Sequence, residues 1–218
     1  MSVAKQIEAV KATLKEGVEL VAVSKTHPVE AIREAYEAGQ RCFGESRPQE
    51  LKSKYEALPK DIRWHMIGHL QTNKIKYIAP FVAMIESVDS ARLCEAIEQQ
   101  AAKCNRVIDC LLEIHVAQEE SKTGWAWEEL RAYVASGAFA AFPHMRVRGV
   151  MGIASNTEDT ATIRRDFEAL KAAFEELKPA FGEAFDTLSM GMSDDYELAI
   201  ECGSTMVRIG SSIFGERY

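Results

Sequence analysis

Short apolar runs alternate with polar-faced helical stretches along almost the whole chain. The apolar runs 19–25, 41–46, 62–68, 82–89, 107–116, 147–154, 187–192 and 206–213 have strand length and predict eight β-strands. Between them, segments 28–38, 49–58, 73–78, 90–104, 125–135, 157–177 and 194–202 predict helices. Pro28 sits near the first turn of the earliest of these, Ser90 caps the fourth, and Gly203 closes the last. One more amphipathic helix, 4–15, precedes the first strand. Strand and helix in strict alternation are the mark of βαβ units and hence of a parallel sheet.

Eight strands joined by seven crossovers form either an open, doubly wound sheet or a closed barrel. A parallel sheet of eight closes naturally at this length. The last predicted strand is followed only by 214–218, too little for an eighth helix, so the opening helix is expected to cover that gap. The reading is a (β/α)₈, or TIM, barrel formed by residues 1–218 as a single domain with an extra N-terminal helix. The shortest crossover, 71–78, is the least helix-like.

Composition narrows the function classes. Of 218 residues, 47% are hydrophobic and 27% charged, which suits a globular chain with a sizeable core. A formal net charge of -7 provides no global basic field, so nucleic acid and anionic membrane surfaces are not expected partners. The first residues lack a continuous apolar stretch, and no eighteen apolar residues run together, so the expected location is the cytoplasm. Five widely spaced cysteines without a C-x-x-C read as core thiols. No apolar surface stripe stands out, and a monomer is the expectation.

In a barrel, chemistry belongs at the C-terminal ends of the strands, and phosphate sites favour the loops after strands seven and eight. Those loops read Gly191-Met192-Ser193-Asp194-Asp195 and Gly210-Ser211-Ser212. Small residues let backbone N–H groups approach an anion, and serines add hydroxyl donors. The same residues also serve as ordinary turn and cap residues, and Asp194 and Asp195 must point away from any phosphate. Lys25 ends the apolar run Leu20-Val21-Ala22-Val23-Ser24, where desolvation favours the neutral amine that attacks an aldehyde; the alternative is a lysine reaching solvent. Arg208, inside Met206-Val207-Arg208-Ile209-Gly210, needs an acceptor: an internal carboxylate such as Glu86 or Glu113, or a ligand atom such as a pyridine nitrogen. His65 and His69 lack a nearby third ligand for metal.

These residues carry a resemblance to the YggS-type pyridoxal-phosphate homeostasis proteins, single-domain barrels related to the N-terminal barrel of alanine racemase. The matching stretches are Val21-Ala22-Val23-Ser24-Lys25, Phe43-Gly44-Glu45, Trp64-His65-Met66-Ile67-Gly68, Leu70-Gln71-Thr72-Asn73-Lys74, Ser121-Lys122-Thr123-Gly124, Arg148-Gly149-Val150-Met151, 189–195 and 203–210. The resemblance implies pyridoxal 5′-phosphate held as a Schiff base on Lys25, with Arg208 facing the pyridine nitrogen and Ser193, Gly210, Ser211 and Ser212 at the phosphate. Where the family usually has Asn after Phe-Gly-Glu, this chain has the shorter Ser46. A permanently cationic Arg208 disfavours protonation of the ring nitrogen and makes the ring a poorer electron sink. The implied role is reversible binding, buffering or delivery of the cofactor to pyridoxal-phosphate-dependent apoenzymes rather than catalysis. An amino-acid racemase and a Lys25 aldolase acting on a phosphorylated sugar are the alternatives.

Overall fold

In the computed structural model, which describes residues 2–215, the eight apolar runs become β1 (Glu19–Val23), β2 (Cys42–Glu45), β3 (Arg63–Met66), β4 (Met84–Val88), β5 (Ile108–Glu113), β6 (Met145–Met151), β7 (Thr187–Ser189) and β8 (Met206–Ile209). All pair in parallel, each with its sequence neighbours, and β8 pairs back onto β1 with Val21 opposite Arg208 and Ala22 opposite Ile209. The sheet is thus a closed TIM barrel, and the open-sheet alternative falls away.

Around it lie α1 (Val3–Thr13), α2 (Val29–Glu37), α3 (Pro48–Ala57), α4 (Ala91–Lys103), α5 (Trp127–Ala135), α6 (Thr160–Phe181), α7 (Tyr196–Glu201) and α8 (Ser211–Phe214). Ser90 caps α4 by accepting from the Leu93 N–H at 3.3 Å, as its position suggests. Period-two alternation sorts the strand residues into two apolar layers. Val21, Cys42, Met84, Leu111, Met151 and Met206 fill the inside, while Phe43, Trp64, Phe167 and Leu170 belong to the larger layer between sheet and helices.

α1 packs against α2 and α8, closing the gap expected at the ends of the chain. Its buried Ile7 and Val10 contribute about 1.5–3 kcal/mol each. Its Ser2 cap contributes about 1 kcal/mol. Packing, not capping, therefore holds it there. Among the described residues, no helix is long and apolar enough to cross a membrane.

Three local readings need correction. The eighth strand stops at Ile209, and Ser211–Phe214 turn into the one-turn α8, with the Ile213 and Phe214 N–H groups both bonding back to the Gly210 carbonyl at 2.9 Å. One buried apolar residue after two serines fits a strand or a helical turn equally well, so periodicity misassigned Ile213. The short third crossover is a 3₁₀ helix, Thr72–Tyr77. Finally, α6 runs on to Phe181, past Pro179, because Phe181 stacks on Phe185 with ring centroids 5.1 Å apart and extends the buried stripe of Phe174 and Leu177.

Candidate functional site

β1 ends at Val23, which places Lys25 in the turn that follows, half-buried at the C-terminal rim of the barrel. The turn is tight, with Thr26 at φ 70°, and it is held from both flanks. The Ser24 hydroxyl donates to Glu45 Oε1 at 2.6 Å. Lys54 Nζ, from α3, donates to the Ser24 carbonyl at 2.8 Å and to Glu45 Oε1 and Glu50 Oε1, each at 2.7 Å. Glu50 Oε1 also accepts the Thr26 N–H at 2.7 Å. Burial pushes the Glu45 carboxyl up from its ordinary range, with Lys54 and Ser24 opposing. At Glu50 burial also works upward, but bonds from Lys54 and Thr26 outweigh it and hold the carboxyl low.

Lys25, Ser46, Ser193, Arg208, Gly210 and Ser211 line one cavity of about 220 Å³. Ser212 does not line it by side chain, but its N–H points at Ser193 Oγ from 3.5 Å, and the Gly210 N–H points at the same oxygen from 3.3 Å. Two backbone donors thus converge on Ser193 Oγ, and Ser193, Gly210 and Ser211 line the cavity there, a set of groups suited to an anion. A side chain at Gly210 would put its Cβ 3.2 Å from the Val23 carbonyl, so the approach of this loop to β1 relies on glycine. Asp195 turns away from the cavity as expected, accepting the Met192 N–H at 2.6 Å. Asp194 does not: it lies at the exposed rim among the lining residues.

Arg208 is only 4% exposed. Its guanidinium donates to Ser189 Oγ at 2.6 Å and to the Gly152 carbonyl at 2.9 Å. Glu86 Oε2 accepts from the Ser189 hydroxyl at 2.7 Å and lies 3.9 Å from Arg208. An internal carboxylate therefore does accompany Arg208, through a serine, while the arginine still reaches the cavity. Burial pushes the guanidinium down, opposed by Glu86, Glu113 and Asp195. His65 and His69 have separate partners, Glu86 at 2.7 Å in the interior and Asp89 at 2.9 Å on the surface.

Glu113 closes β5 with Oε1 accepting from the Thr123 hydroxyl at 2.8 Å, whereas its buried Oε2 has no hydrogen-bond partner among the described residues. Burial pushes its carboxyl up, with Thr123, Arg208 and His69 opposing and Asp89 assisting. A raised carboxyl binds its proton more tightly in the folded state, so this group's contribution to stability falls as pH rises from the unfolded-state value of about 4.3. Glu113→Gln is expected to be more stable than the parent at neutral pH, with the gap closing towards pH 4. Thermal melts across that range check it; a constant gap contradicts it.

Residues 24, 45, 50, 54 and 189 complete the geometry of the site without having been singled out as site residues from the sequence. Ser24, Glu45 and Ser189 lie within matched stretches but carry no assigned role there. Lys54 follows Glu50 by one helical turn and looks like any surface ion pair.

The fold and site define a closed parallel (β/α)₈ barrel whose C-terminal rim gathers an amine, a guanidinium and small hydroxyl and backbone donors around one cavity. Residues 2–218 match the family described as alanine racemase, N-terminal domain, and the chain belongs to that family. It is 43% identical over 199 residues to the pyridoxal phosphate homeostasis protein of Aquifex aeolicus, covering 91% of this chain and 86% of that one. It is 39% identical over 204 residues to the protein of the same name from Haemophilus influenzae, covering 92% and 85%. Among solved structures it is similar to PipY of Synechococcus elongatus with pyridoxal phosphate bound, at 35% identity and TM-score 0.88, covering 98% of this chain and all of that one. Alanine racemase from Bartonella henselae, 15% identical with TM-score 0.77 over 59% of its length, shares the fold.

Proposed function

We propose that this protein binds pyridoxal 5′-phosphate reversibly, through a Schiff base on Lys25, and buffers or delivers it to apoenzymes that need it. The observation that carries the reading is the convergence of Lys25, Arg208 and the Ser193–Gly210–Ser212 donors on one cavity. The residues fit the group by their chemistry. Ser193, Ser211 and the 210 and 212 N–H groups would donate to phosphate oxygens, Lys25 would supply an amine for an aldehyde, and Arg208 would donate to a ring acceptor without yielding a proton. Ser46 lines the same cavity. The names of the relatives, and the ligand in PipY, support the same assignment.

Bound, the group supplies an aldehyde and an electron-withdrawing ring. We read it as cargo rather than as a catalyst. Arg208 holds positive charge at the ring and disfavours proton uptake there. Among the described residues that line the cavity, the titratable side chains besides Lys25 and Arg208 are His27 and Asp194, and none is a tyrosine or a cysteine. The protein then works as one barrel domain, monomeric and cytoplasmic. The purified protein is expected to be yellow, and borohydride is expected to fix the cofactor on Lys25. In Lys25→Ala the visible band should disappear and affinity should fall about 100-fold, ~3 kcal/mol. Solvent deuterium should not enter the α-carbon of a panel of amino acids; exchange with turnover establishes an enzyme instead. Colourless protein that fails to take up added cofactor overturns the whole reading.

A further inference from the structure

Beneath the cavity, a buried polar chain runs from Arg208 across the barrel interior through residues that do not line the cavity. It begins at Arg208 on β8, whose guanidinium donates to Ser189 Oγ on β7 at 2.6 Å. A guanidinium has only donors, so Ser189 must accept there and turn its own proton to Glu86 Oε2 on β4, at 2.7 Å. The other oxygen, Glu86 Oε1, pairs with His65 Nδ1 on β3, at 2.7 Å. Glu86 and Ser189 have no exposure, and His65 and Arg208 are 2% and 4% exposed. His65 in turn lines a cavity of about 150 Å³ at the opposite mouth of the barrel, with Glu19, Arg63, Asp109 and Arg148.

A carboxylate serving only to neutralise an arginine usually takes it in a two-point, side-by-side contact. Here a serine stands between them and the carboxylate remains 3.9 Å away. The Gly152 carbonyl takes a second guanidinium nitrogen at 2.9 Å. The result is a guanidinium fixed from below by two acceptors while it still lines the cavity above. We infer that Ser189 and Glu86 are positioning residues for Arg208: they fix the orientation it presents to the ring of a bound cofactor, and Glu86 sets the charge beneath that ring.

The inference rests on the cofactor reading above. Around Glu86, the titratable or charged groups are His65 from β3, Cys42 from β2 acting on His65, and Arg208 from β8; Glu113 from β5 and Asp195 act on Arg208. His65, despite burial, is held well above its ordinary value by Cys42 and Glu86, while burial at Glu86 is outweighed by His65, Arg208 and Ser189. The chain therefore sets the Glu86 carboxylate between the His65 imidazole and, through Ser189, the Arg208 guanidinium.

The test loads the parent protein, Ser189→Ala and Glu86→Gln with pyridoxal phosphate and titrates the visible band with pH, alongside cofactor affinity and the melting temperature of each cofactor-free protein. Removing the Glu86 charge leaves more positive charge below the ring, so the band midpoint should move down by about half a unit or more. Ser189→Ala, which leaves the Glu86–His65 pair in place, should shift the midpoint and weaken binding about fivefold. In an Arg208→Met background, adding Ser189→Ala should produce no further shift, since the two act through one group. Should Glu86→Gln fail to fold, the serine variant and the cycle decide alone. An unchanged band and affinity in folded Ser189→Ala overturns the inference, and so does a shift that persists in full without Arg208. Lys25→Ala run in parallel separates the two claims: if it keeps the band, the Lys25 reading has failed, whereas loss of the band with an indifferent Ser189→Ala refutes the positioning role only.

Discussion

Lys54→Ala is expected to lower stability by about 3–5 kcal/mol, the range found when one partner of a buried ion pair is removed. Lys54 is 5% exposed, and its ammonium directs hydrogen bonds to the Ser24 carbonyl, Glu45 and Glu50. Without it, Glu45, which is fully buried, retains only the Ser24 hydroxyl, and its Oε2 already lacks a hydrogen-bond partner among the described residues. The damage reaches the site, because the lost bonds are those that hold the turn carrying Lys25. Cofactor affinity should therefore fall even where the variant remains folded. Lys54→Met preserves the aliphatic stem and separates charge from packing: a loss close to that of alanine assigns the effect to charge. Adding Glu45→Gln to Lys54→Met should recover part of the loss, since it removes the abandoned anion. Denaturant unfolding measures all three, and a loss below about 1 kcal/mol for Lys54→Ala contradicts the account.

Gly149→Ala is the second large effect, expected to cost about 3 kcal/mol or more, at the upper end for overpacking. Gly149 stands opposite Thr187 in the β6–β7 pairing, just past an irregularity in the β5–β6 register. A Cβ there would lie 1.7 Å from the Thr187 carbonyl oxygen and 2.6 Å from its carbon. These are backbone atoms, so no rotamer change relieves the clash. β7 has to move, and it has only three residues, one of them Ser189 under Arg208. A lower denaturation midpoint together with weakened cofactor binding is the expected pair of results; a midpoint equal to that of the parent refutes the clash.

Much of the architecture was legible because it is written locally. Each strand core announced itself as an apolar run, and Ser90 and Gly203 marked helix ends where the chain does change direction. The boundary errors arose where local signals are degenerate. Ser211-Ser212-Ile213 satisfies a strand and a helical turn alike, and Pro179 argues for a stop that the packing of Phe181 overrides. Of the candidate site, the residues at strand ends were accessible to inspection, since barrel topology predicts where loops after the seventh and eighth strands must lie. Lys54 was not, because an i, i+4 Glu–Lys pair on a helix has the same spacing whether it faces water or, as here, the buried side of a turn.

The sequence by itself determined the eight strands and their order, seven of the helices around them, the placement of Lys25, Ser193 and Gly210 after strands and of Arg208 within the last one, and the family. These depend on spacing along one chain, through the periods of strand and helix and the backbone freedom of small residues. Only the tertiary structure decided that β8 closes on β1, bringing Gly210 against Val23 and Arg208 opposite Val21. It also decided that Arg208 meets Glu86 through Ser189, and that Lys54 clamps the Lys25 turn. Period-two patterns assign a face to each residue but no register between strands distant in sequence, and a buried polar contact exists only once that register brings donor and acceptor within about 3 Å.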